Sequence, residues 1–464
     1  MDQNTGNGLI AGSINVQQYL TSGRNWYISS PISAATSTVF SATSSNPVFY
    51  YDETIALNAS SNAWGQIQNT STALTPTVGY IANMDATVLS NQSNVVTFTG
   101  GSLNSGAITT GQNSVPALTY TDNNYKKGFN LVGNPYASYL DWDNVSKTNV
   151  MSSIWLRTKV NSTYVFDTYN ALGQLGTSNS GISVNNHIPP MQAFWVRATA
   201  AGASISFDNS MRTHKGSQII GEGVGQIIVN DRIFKSAATK EQVQSVLRLQ
   251  ISNGSLTDET ILYSNPNALN SFDDYDTPKM FSNNSSVAEI YTVSGFEQLA
   301  INGLNTITYN TEMPLGFNTL VSGNFSIKAS QIANFQSGTQ VMLKDYADQN
   351  NPVITELTDG SSYSFSSVAT SNNTSRFALL FHAPSIATGI NPESIDKLWI
   401  SSRNGQLVLN GNASSSATLE VFNAVGQKVI SRNLTETNAQ LNNNLAAGAY
   451  LVKITNQGKS VTKK

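Results

Sequence analysis

Hydrophobic and polar residues alternate with a period of two along most of the chain. Clear examples lie at residues 13–16, 247–251 and 362–365. Successive side chains of a β-strand point to opposite faces of the sheet, so this period is typical of strands with one buried face. The alternating stretches are short and are separated by Asn, Gly and Ser, which favour turns. The pattern predicts an all-β chain of tandem β-sandwich or jelly-roll domains.

One pattern occurs twice in the first part of the chain. Residues 23–31 resemble residues 128–135, because each stretch is an aromatic strand that ends at a proline turn. Three further pairs follow in the same order: residues 48–52 with 163–167, 78–82 with 192–196, and 96–98 with 205–207. Ordered matches at a fixed period indicate a repeat. We therefore predict a duplicated β-sandwich region at residues 1–212, with repeats at residues 10–105 and 115–210.

Two further domains are predicted downstream. The alternation stops and glycine becomes frequent at residues 211–225, which indicates a linker. Alternation then resumes, so we predict a second β-sandwich or jelly-roll domain at residues 226–384. Pro392 lies in a second linker. The last unit, residues 396–464, contains about seven short alternating stretches and is predicted to be a small Ig-like β-sandwich.

Three motifs in this last unit resemble the type A C-terminal sorting domain of the type IX secretion system. They are VFNAVGQKV at residues 421–429, LAAGAYLVKI at residues 445–454 and GKSVTKK at residues 458–464. The residues that carry the resemblance are Val421, Phe422, Gly426, Gln427, Val429, Gly448, Tyr450, Val452, Lys453, Gly458, Lys463 and Lys464.

The resemblance implies how the protein leaves the cell. In that family the domain is recognised by the secretion translocon and its outer-membrane shuttle protein, and it is commonly cleaved while the cargo is attached to surface lipopolysaccharide or released. We therefore expect a protein of a Bacteroidota-type bacterium that crosses the periplasm and the outer membrane to the cell surface or the medium. Members usually continue past the paired lysines into a short apolar strand, whereas this sequence ends at Lys464.

Segments further upstream have a second resemblance. Residues 128–142, 273–280 and 299–303 resemble segments that recur just before such sorting domains in large Bacteroidota surface proteins. Those regions are mostly of unassigned function. The resemblance therefore supports the cellular address rather than an activity.

Charge and composition exclude several classes of partner. Charged residues make up 11% of the chain, the formal net charge is -3, and like charges are not clustered. A protein that binds nucleic acid or an anionic membrane usually carries a basic patch, so we expect neither partner. Without cysteine the chain has no disulfide and no thiolate metal site. No apolar run approaches the roughly 18 residues of a membrane-spanning helix.

The sequence contains no recognisable catalytic constellation. His187, His214 and His382 lie far apart, and HExxH, GxSxG and phosphate-binding loops are absent from the sequence. We therefore expect a protein that is not an enzyme and that requires no cofactor.

An acidic stretch is the best candidate for a metal site. Asp273, Asp274 and Asp276 crowd into one loop, with Asp258 or Glu259 as additional ligands. Calcium prefers six to eight oxygen ligands, so carboxylates grouped in this way are suited to Ca²⁺. The spacing differs from an EF-hand loop. The alternative is an acidic turn whose carboxylates cap backbone amides.

Tryptophans of the duplicated region are candidates for stacking against sugar rings. Trp142 stands between Asp141 and Asp143, so we expect it to be the most exposed one. Trp195 lies in an alternating strand and can face either side. The alternative is that these rings belong to the hydrophobic core, as most large aromatic side chains of β domains do.

These observations favour an exported cell-surface protein whose β domains upstream of residue 396 act in adhesion, surface assembly or gliding motility. Two alternatives remain open: a carbohydrate-binding surface module, and the non-catalytic C-terminal part of a larger secreted enzyme.

Overall fold

The computed structural model is almost entirely β-structure, as predicted. It divides into two compact units, residues 1–383 and 384–464. Within the residues that the structure describes, no helix is long and apolar enough to cross a membrane. The described residues are 14–20, 23–55, 63–83, 95–121, 127–181, 184–213, 244–254, 256–282, 284–384, 399–403, 406–410, 417–434, 440–441, 445, 448–456 and 459–463.

The first unit begins with a small two-layer repeat. Its strands are β1 (Val16–Tyr19), β2 (Asn25–Ile28), β3 (Val48–Tyr51), β4 (Trp64–Ile67), β5 (Tyr80–Asn83) and β6 (Val95–Phe98). Four of them form an antiparallel sheet in the order β2, β5, β3, β4, and β1 pairs with β6. A 3₁₀ turn at Ser37–Phe40 closes the core between these layers.

A second repeat follows. Its strands are β7 (Ile108–Thr109), β8 (Phe129–Gly133), β9 (Tyr139–Asp141), β10 (Ser146–Thr148), β11 (Ser153–Val160), β12 (Thr163–Asn170), β13 (Leu175–Gly176), β14 (His187–Ile188), β15 (Ala193–Arg197), β16 (Ser204–Phe207) and β17 (Arg212–Thr213). The main sheet has the order β13, β12, β11, β15, β8, while β16 pairs with β10 and β7. We call residues 14–213 the repeat region.

The two repeats have the same strand order. Strands β2, β5, β3 and β4 occupy the places of β8, β15, β11 and β12, and the β1 and β6 pair corresponds to β7 and β16. The predicted match of residues 48–52 with residues 163–167 is therefore wrong by one strand, because β3 corresponds to β11. Both strands of the β11 and β12 hairpin are rich in aromatic and β-branched residues, so the sequence pattern does not distinguish them.

The repeats exchange equivalent backbone hydrogen bonds where they meet. The N–H of Ser29 donates to the carbonyl of Met191, and the N–H of Gly133 donates to the carbonyl of Thr77, each at 2.8 Å. Thr77 and Met191 share an unusual left-handed conformation, with φ angles of 71° and 59°. Two isolated antiparallel bridges extend the exchange: Ile28 with Gln192, and Val78 with Val132. The repeats are thus related by a local two-fold axis.

Residues 244–382 form the rest of the first unit, which we call the barrel region. Its strands are β18 (Val246–Ser252), β19 (Thr257–Ser264), β20 (Thr277–Pro278), β21 (Glu289–Ser294), β22 (Glu297–Leu304), β23 (Glu312–Thr319), β24 (Gly323–Ala333), β25 (Gln340–Asp345), β26 (Val353–Leu357), β27 (Ser362–Ser367) and β28 (Thr370–His382). They belong to one sheet in the order β26, β25, β28, β23, β21, β22, β19, β18, β24, β27, with β20 attached to β22. The end strands β26 and β27 are joined by a short turn, so the sheet curls into a nearly closed barrel around a Leu, Ile and Phe core.

The second unit contains two small antiparallel sheets in its described residues. Its strands are β29 (Trp399–Arg403), β30 (Gln406–Asn410), β31 (Ala417–Phe422), β32 (Lys428–Leu434), β33 (Gln440–Leu441), β34 (Leu451–Asn456) and β35 (Lys459–Lys463). The sheet orders are β29, β30, β33 and β32, β31, β34, β35. Alternate residues of β31 and β34, such as Leu419, Val421 and Ile454, build its core.

Candidate functional site

A cleft of about 940 Å³ opens where the repeat region meets the barrel region. Its apolar walls include Tyr120, Met151, Phe272 and Phe296. Phe296 occupies the turn between β21 and β22, where Gly295 adopts a φ angle of 59°. Phe296 is fully exposed, at a relative accessibility of 104%. An aromatic ring held in solvent at the rim of a cleft offers both faces to a ligand.

An ion-paired group forms the polar wall of this cleft. Glu297 accepts from Arg197 Nη2 at 3.2 Å and from Lys127 Nζ at 3.3 Å, so each carboxylate oxygen has a cationic partner. Arg197 Nε also donates to the carbonyl of Lys127 at 2.8 Å. Glu297 belongs to the barrel region and the two cations belong to the repeat region. The group therefore fixes the walls of the cleft relative to each other.

The sequence pattern does not predict this cleft. Lys127 and Glu297 are separated by 170 positions, so no local spacing brings them together. The one local signal is the phenylalanine that follows glycine in the turn at residues 294–297, because an apolar ring in a tight turn has no core beside it.

The acidic loop lies against the repeat region and follows the amide-capping alternative. Asp273 accepts from the N–H groups of Leu269 and Tyr275, and Asp276 accepts from those of Asp273 and Gly303. Asp274 accepts from the N–H and the hydroxyl of Ser152, at 2.8 and 2.6 Å. All six carboxylate oxygens are thus hydrogen-bonded to protein donors. Among the described residues, no group of three or more Asp, Glu or His side chains is arranged to hold a metal ion.

The second set of predicted ligands is also engaged elsewhere. Asp258 is bound by Lys279, and Glu259 accepts from Arg248 Nη1 at 3.1 Å and from the N–H of Ser178 at 3.0 Å. Asp258 and Glu259 therefore accept hydrogen bonds from protein donors, like the three aspartates of the loop.

The expectation that Trp142 is exposed is wrong. Its side chain is completely buried, packs against Phe194 and donates from Nε1 to the carbonyl of Ser152 at 2.8 Å. Trp142 begins a 3₁₀ turn, in which neighbouring residues point in different directions, so the flanking aspartates carry no information about its exposure.

Trp195 is also a core residue, only 6% exposed. Its ring makes edge contacts with Tyr51 and Trp64 at centroid distances of 4.7 and 5.7 Å. A buried ring leaves no face free for a sugar, so neither tryptophan is available for stacking in this structure.

Upstream segments singled out in the sequence meet in space. Thr277 pairs with Ile301, and Pro278 pairs with Leu299. Trp155 of the repeat region, fully buried, donates from Nε1 to the carbonyl of Pro278 at 2.8 Å. The loop at residues 273–280 therefore connects the two regions.

Comparison with protein families agrees with this continuity. Residues 3–381 match the family described as Domain of unknown function (DUF8693). The chain belongs to the DUF8693 family. The match covers both the repeat region and the barrel region. Comparison with curated proteins gave no match, and comparison with solved structures gave none.

A separate match identifies the residues that follow the DUF8693 match. Residues 395–464 match the family described as Secretion system C-terminal sorting domain. The protein is therefore a cargo of the type IX secretion system that is exported across the outer membrane to the cell surface or the medium, as its motifs predicted. The domain also implies a Bacteroidota source and contact with the secretion machinery.

The first sorting motif of the DUF8693 chain is a hairpin with an asparagine-capped turn. Asn423 Oδ1 accepts from the N–H groups of Val425 and Gln427, at 3.2 and 2.9 Å, and Gly426 has a φ angle of 81°. A left-handed φ favours glycine, which explains its place in the motif.

The remaining motif residues divide between core and surface. Val421 and Val452 are buried, Phe422, Tyr450 and Lys453 are half-buried, and Gln427, Val429 and Gly448 are exposed. Lys463 ends β35, while Gly458 and Lys464 lie outside the described residues. The exposed positions are those that a recognition protein can reach without unfolding the domain.

Buried carboxyl groups are expected to make residues 3–381, which we call the DUF8693 unit, more stable in acid. Burial raises the pKa of Asp276 to about 7 and that of Asp167 to about 6. A pKa raised in the folded state means that the native protein binds protons more tightly than the unfolded chain. The resulting stabilisation is complete below the unfolded pKa of about 4 and is lost as the pH rises through about 6 to 7.

We therefore expect the thermal midpoint of the purified chain to increase as the pH falls from about 8 to about 5. Differential scanning calorimetry at constant ionic strength measures this dependence. Asp276→Asn removes one of the titrating groups and should flatten the curve, whereas a midpoint that falls over this pH range would contradict the assignment.

Proposed function

We propose that the DUF8693 unit is an adhesion module that binds an uncharged polysaccharide in the cleft at Phe296. Export to the cell surface places the module where it meets extracellular glycans. The proposed role is binding and includes no chemical reaction. The observation that carries it is the fully exposed Phe296 ring at the rim of a 940 Å³ cleft.

The size and lining of the cleft support this proposal. Small-molecule sites commonly have volumes of about 300 to 1,000 Å³ and combine aromatic walls with a few polar groups. Tyr120 and Phe272 lie beside Phe296 in the lining, while Asn149 and Thr199 add polar side chains. Sugar rings have apolar faces and polar edges, which suits this combination.

The charges of the cleft support an uncharged ligand. Lys127 and Arg197 are paired with Glu297, and Asp273 and Asp274 accept hydrogen bonds from the protein. A charged ligand would have to compete with these internal pairs and separate them, whereas a neutral sugar can hydrogen-bond around them.

Removing the exposed ring tests the proposal. The purified full chain is expected to be retained on an array of neutral glycans, and Phe296→Ala should weaken the binding of a retained glycan by about tenfold. Because the ring is fully exposed, the variant should keep the stability of the wild type. Isothermal titration calorimetry with the retained glycan gives the affinity, and thermal unfolding gives the stability.

Val368→Ala is the matched control. Val368 is also apolar and exposed, at 73%, but it lies in the turn between β27 and β28 and does not line the cleft. This variant should bind like the wild type. A blank array with folded protein would reject the proposal, as would equal affinity of Phe296→Ala and the wild type.

A further inference from the structure

Asp258 and Lys279 form a tightly enclosed pair inside the barrel region. Lys279 Nζ lies 2.6 Å from both carboxylate oxygens of Asp258. The two side chains are only 2% and 4% exposed, for the lysine and the aspartate respectively. Asp258 lies on β19, and Lys279 follows β20 directly. Two different strands therefore hold the amine and the carboxyl group against each other.

The distances place the amine beside the carboxyl carbon. A nitrogen equidistant from both oxygens at 2.6 Å is close to the carbon that bears them, near the separation of about 3 to 3.5 Å typical of reacting atoms. Burial keeps bulk water away from both groups. The pair is thus in direct contact, with the nitrogen within reach of the carboxyl carbon.

Two hydrogen-bond donors point at the same carboxyl group. Asn179 Nδ2 donates to Oδ1 and the N–H of Ile290 donates to Oδ2, each at 2.7 Å. When an amine adds to a carboxyl carbon, negative charge develops on an oxygen, and fixed donors at this distance stabilise it. The pair therefore already has the donors that the addition requires.

A second buried carboxyl belongs to the residue before Ile290, whose N–H binds Asp258. Glu289 precedes Ile290 and is 6% exposed, and burial together with the charge of Asp258 raises its pKa to about 7. Burial likewise raises the pKa of Asp258. A carboxyl that titrates near neutrality, as that of Glu289 does, is suited to accept and return a proton.

We propose that Lys279 and Asp258 become joined by an intramolecular isopeptide bond, with Glu289 carrying the proton that is transferred. Proton transfer within the ion pair gives a neutral amine and a neutral carboxylic acid. The lone pair of Nζ then forms a bond to Cγ of Asp258, and the bond from Cγ to the hydroxyl oxygen breaks. A proton from Nζ passes by way of Glu289 to the departing hydroxyl, and one water leaves. The step needs no oxidant and no further reactant.

Energetics and position both favour this product. A buried ion pair carries a large desolvation penalty, whereas an amide has no net charge, and its one remaining oxygen can keep the hydrogen bond from Asn179 or the one from Ile290. The new bond would close the segment at residues 258–279, which contains the loop that contacts Ser152 and Trp155. The bond would thus close this loop covalently within the barrel region and hold it where it contacts the repeat region, a property suited to a protein exposed outside the cell.

Mass spectrometry of the purified full chain tests the bond. We expect the denatured, intact protein to be lighter than its sequence by one water, and a digest to contain one branched peptide that joins Asp258 to Lys279. Lys344→Met should retain the loss, because Lys344 forms a surface pair with Glu312. Lys279→Met should have the full mass of its sequence. A folded wild type with the full sequence mass, or a water lost elsewhere in the peptide map, would overturn the proposal.

Asp258→Asn provides a test that keeps the lysine. Condensation of the asparagine amide releases ammonia and gives the same linked product, so the linked variant and the linked wild type should have identical masses. If neither chain is linked, the folded variant and the wild type should differ by the mass difference between asparagine and aspartate. That result, together with a wild type that lacks the branched peptide, rules the bond out.

Glu289→Gln tests whether Glu289 carries the proton or only supports the fold. The variant should fold, as judged by circular dichroism, but should link at least about tenfold more slowly, and Glu289→Asp should restore part of the rate. Equal rates of linkage in Glu289→Gln and the wild type would remove Glu289 from the reaction.

Discussion

Gly133→Ser is expected to destabilise the first unit by about 3 kcal/mol, and the additional change Ser29→Gly is expected to restore most of this loss. A Cβ atom at position 133 would lie only 2.2 Å from Cβ of Ser29. The two residues are counterparts across the local two-fold axis, so the space is sufficient for one side chain but not for two. Urea unfolding followed by fluorescence measures the difference in the free energy of unfolding.

The double variant Gly133→Ser with Ser29→Gly distinguishes steric crowding from the loss of glycine's backbone flexibility at position 133. If crowding is the cause, the double variant should behave almost like the wild type, and the two changes should be strongly coupled. Gly323→Ser is the control, because the nearest atom to a Cβ there is a ring atom of Phe325 at 3.8 Å. A stable Gly133→Ser variant, or a double variant no more stable than the single one, would contradict this reading.

Trp155→Ala is expected to cost about 4 kcal/mol of unfolding free energy, since truncation of a buried tryptophan leaves a large cavity. The ring is fully buried and contacts Phe129 at a centroid distance of 5.0 Å. Its Nε1 also donates to the carbonyl of Pro278 across the junction of the two regions. The same urea titration measures the loss.

Trp155→Phe separates volume from hydrogen bonding. It keeps much of the ring but leaves the Pro278 carbonyl without this donor, so we expect a smaller loss of about 1 to 2 kcal/mol. If Trp155→Ala lowers the free energy of unfolding by less than about 1 kcal/mol, the ring does not join the two regions as described.

The fold class was readable from the sequence because a period of two is a local property of each strand. Burial was not, and β15 illustrates the reason. Phe194 packs into one core and Trp195 packs into another, on the opposite side of the same sheet. A strand covered on both faces has no polar side, so alternation cannot indicate which ring is exposed.

The candidate site was less predictable still. Phe296 lies in the turn between β21 and β22, Arg197 ends β15, and Lys127 precedes β8, so only the tertiary structure brings the three residues together. The paired carboxylates of residues 273–276 were visible in the sequence, but their partners, such as Ser152 and Gly303, were not. By contrast, the sorting domain was recognisable because its motifs lie within seventy residues of each other.

The exchange of backbone bonds between the repeats has a consequence for how this architecture can arise. One repeat already contains both parts of the exchange, the N–H of Ser29 and the carbonyl of Thr77. Two separate copies of it would complete the same bonds as a closed, symmetric homodimer. When the two copies are joined in one chain, each copy can change independently of the other. Ser29 now faces Gly133, whereas a homodimer would have identical residues at these two positions.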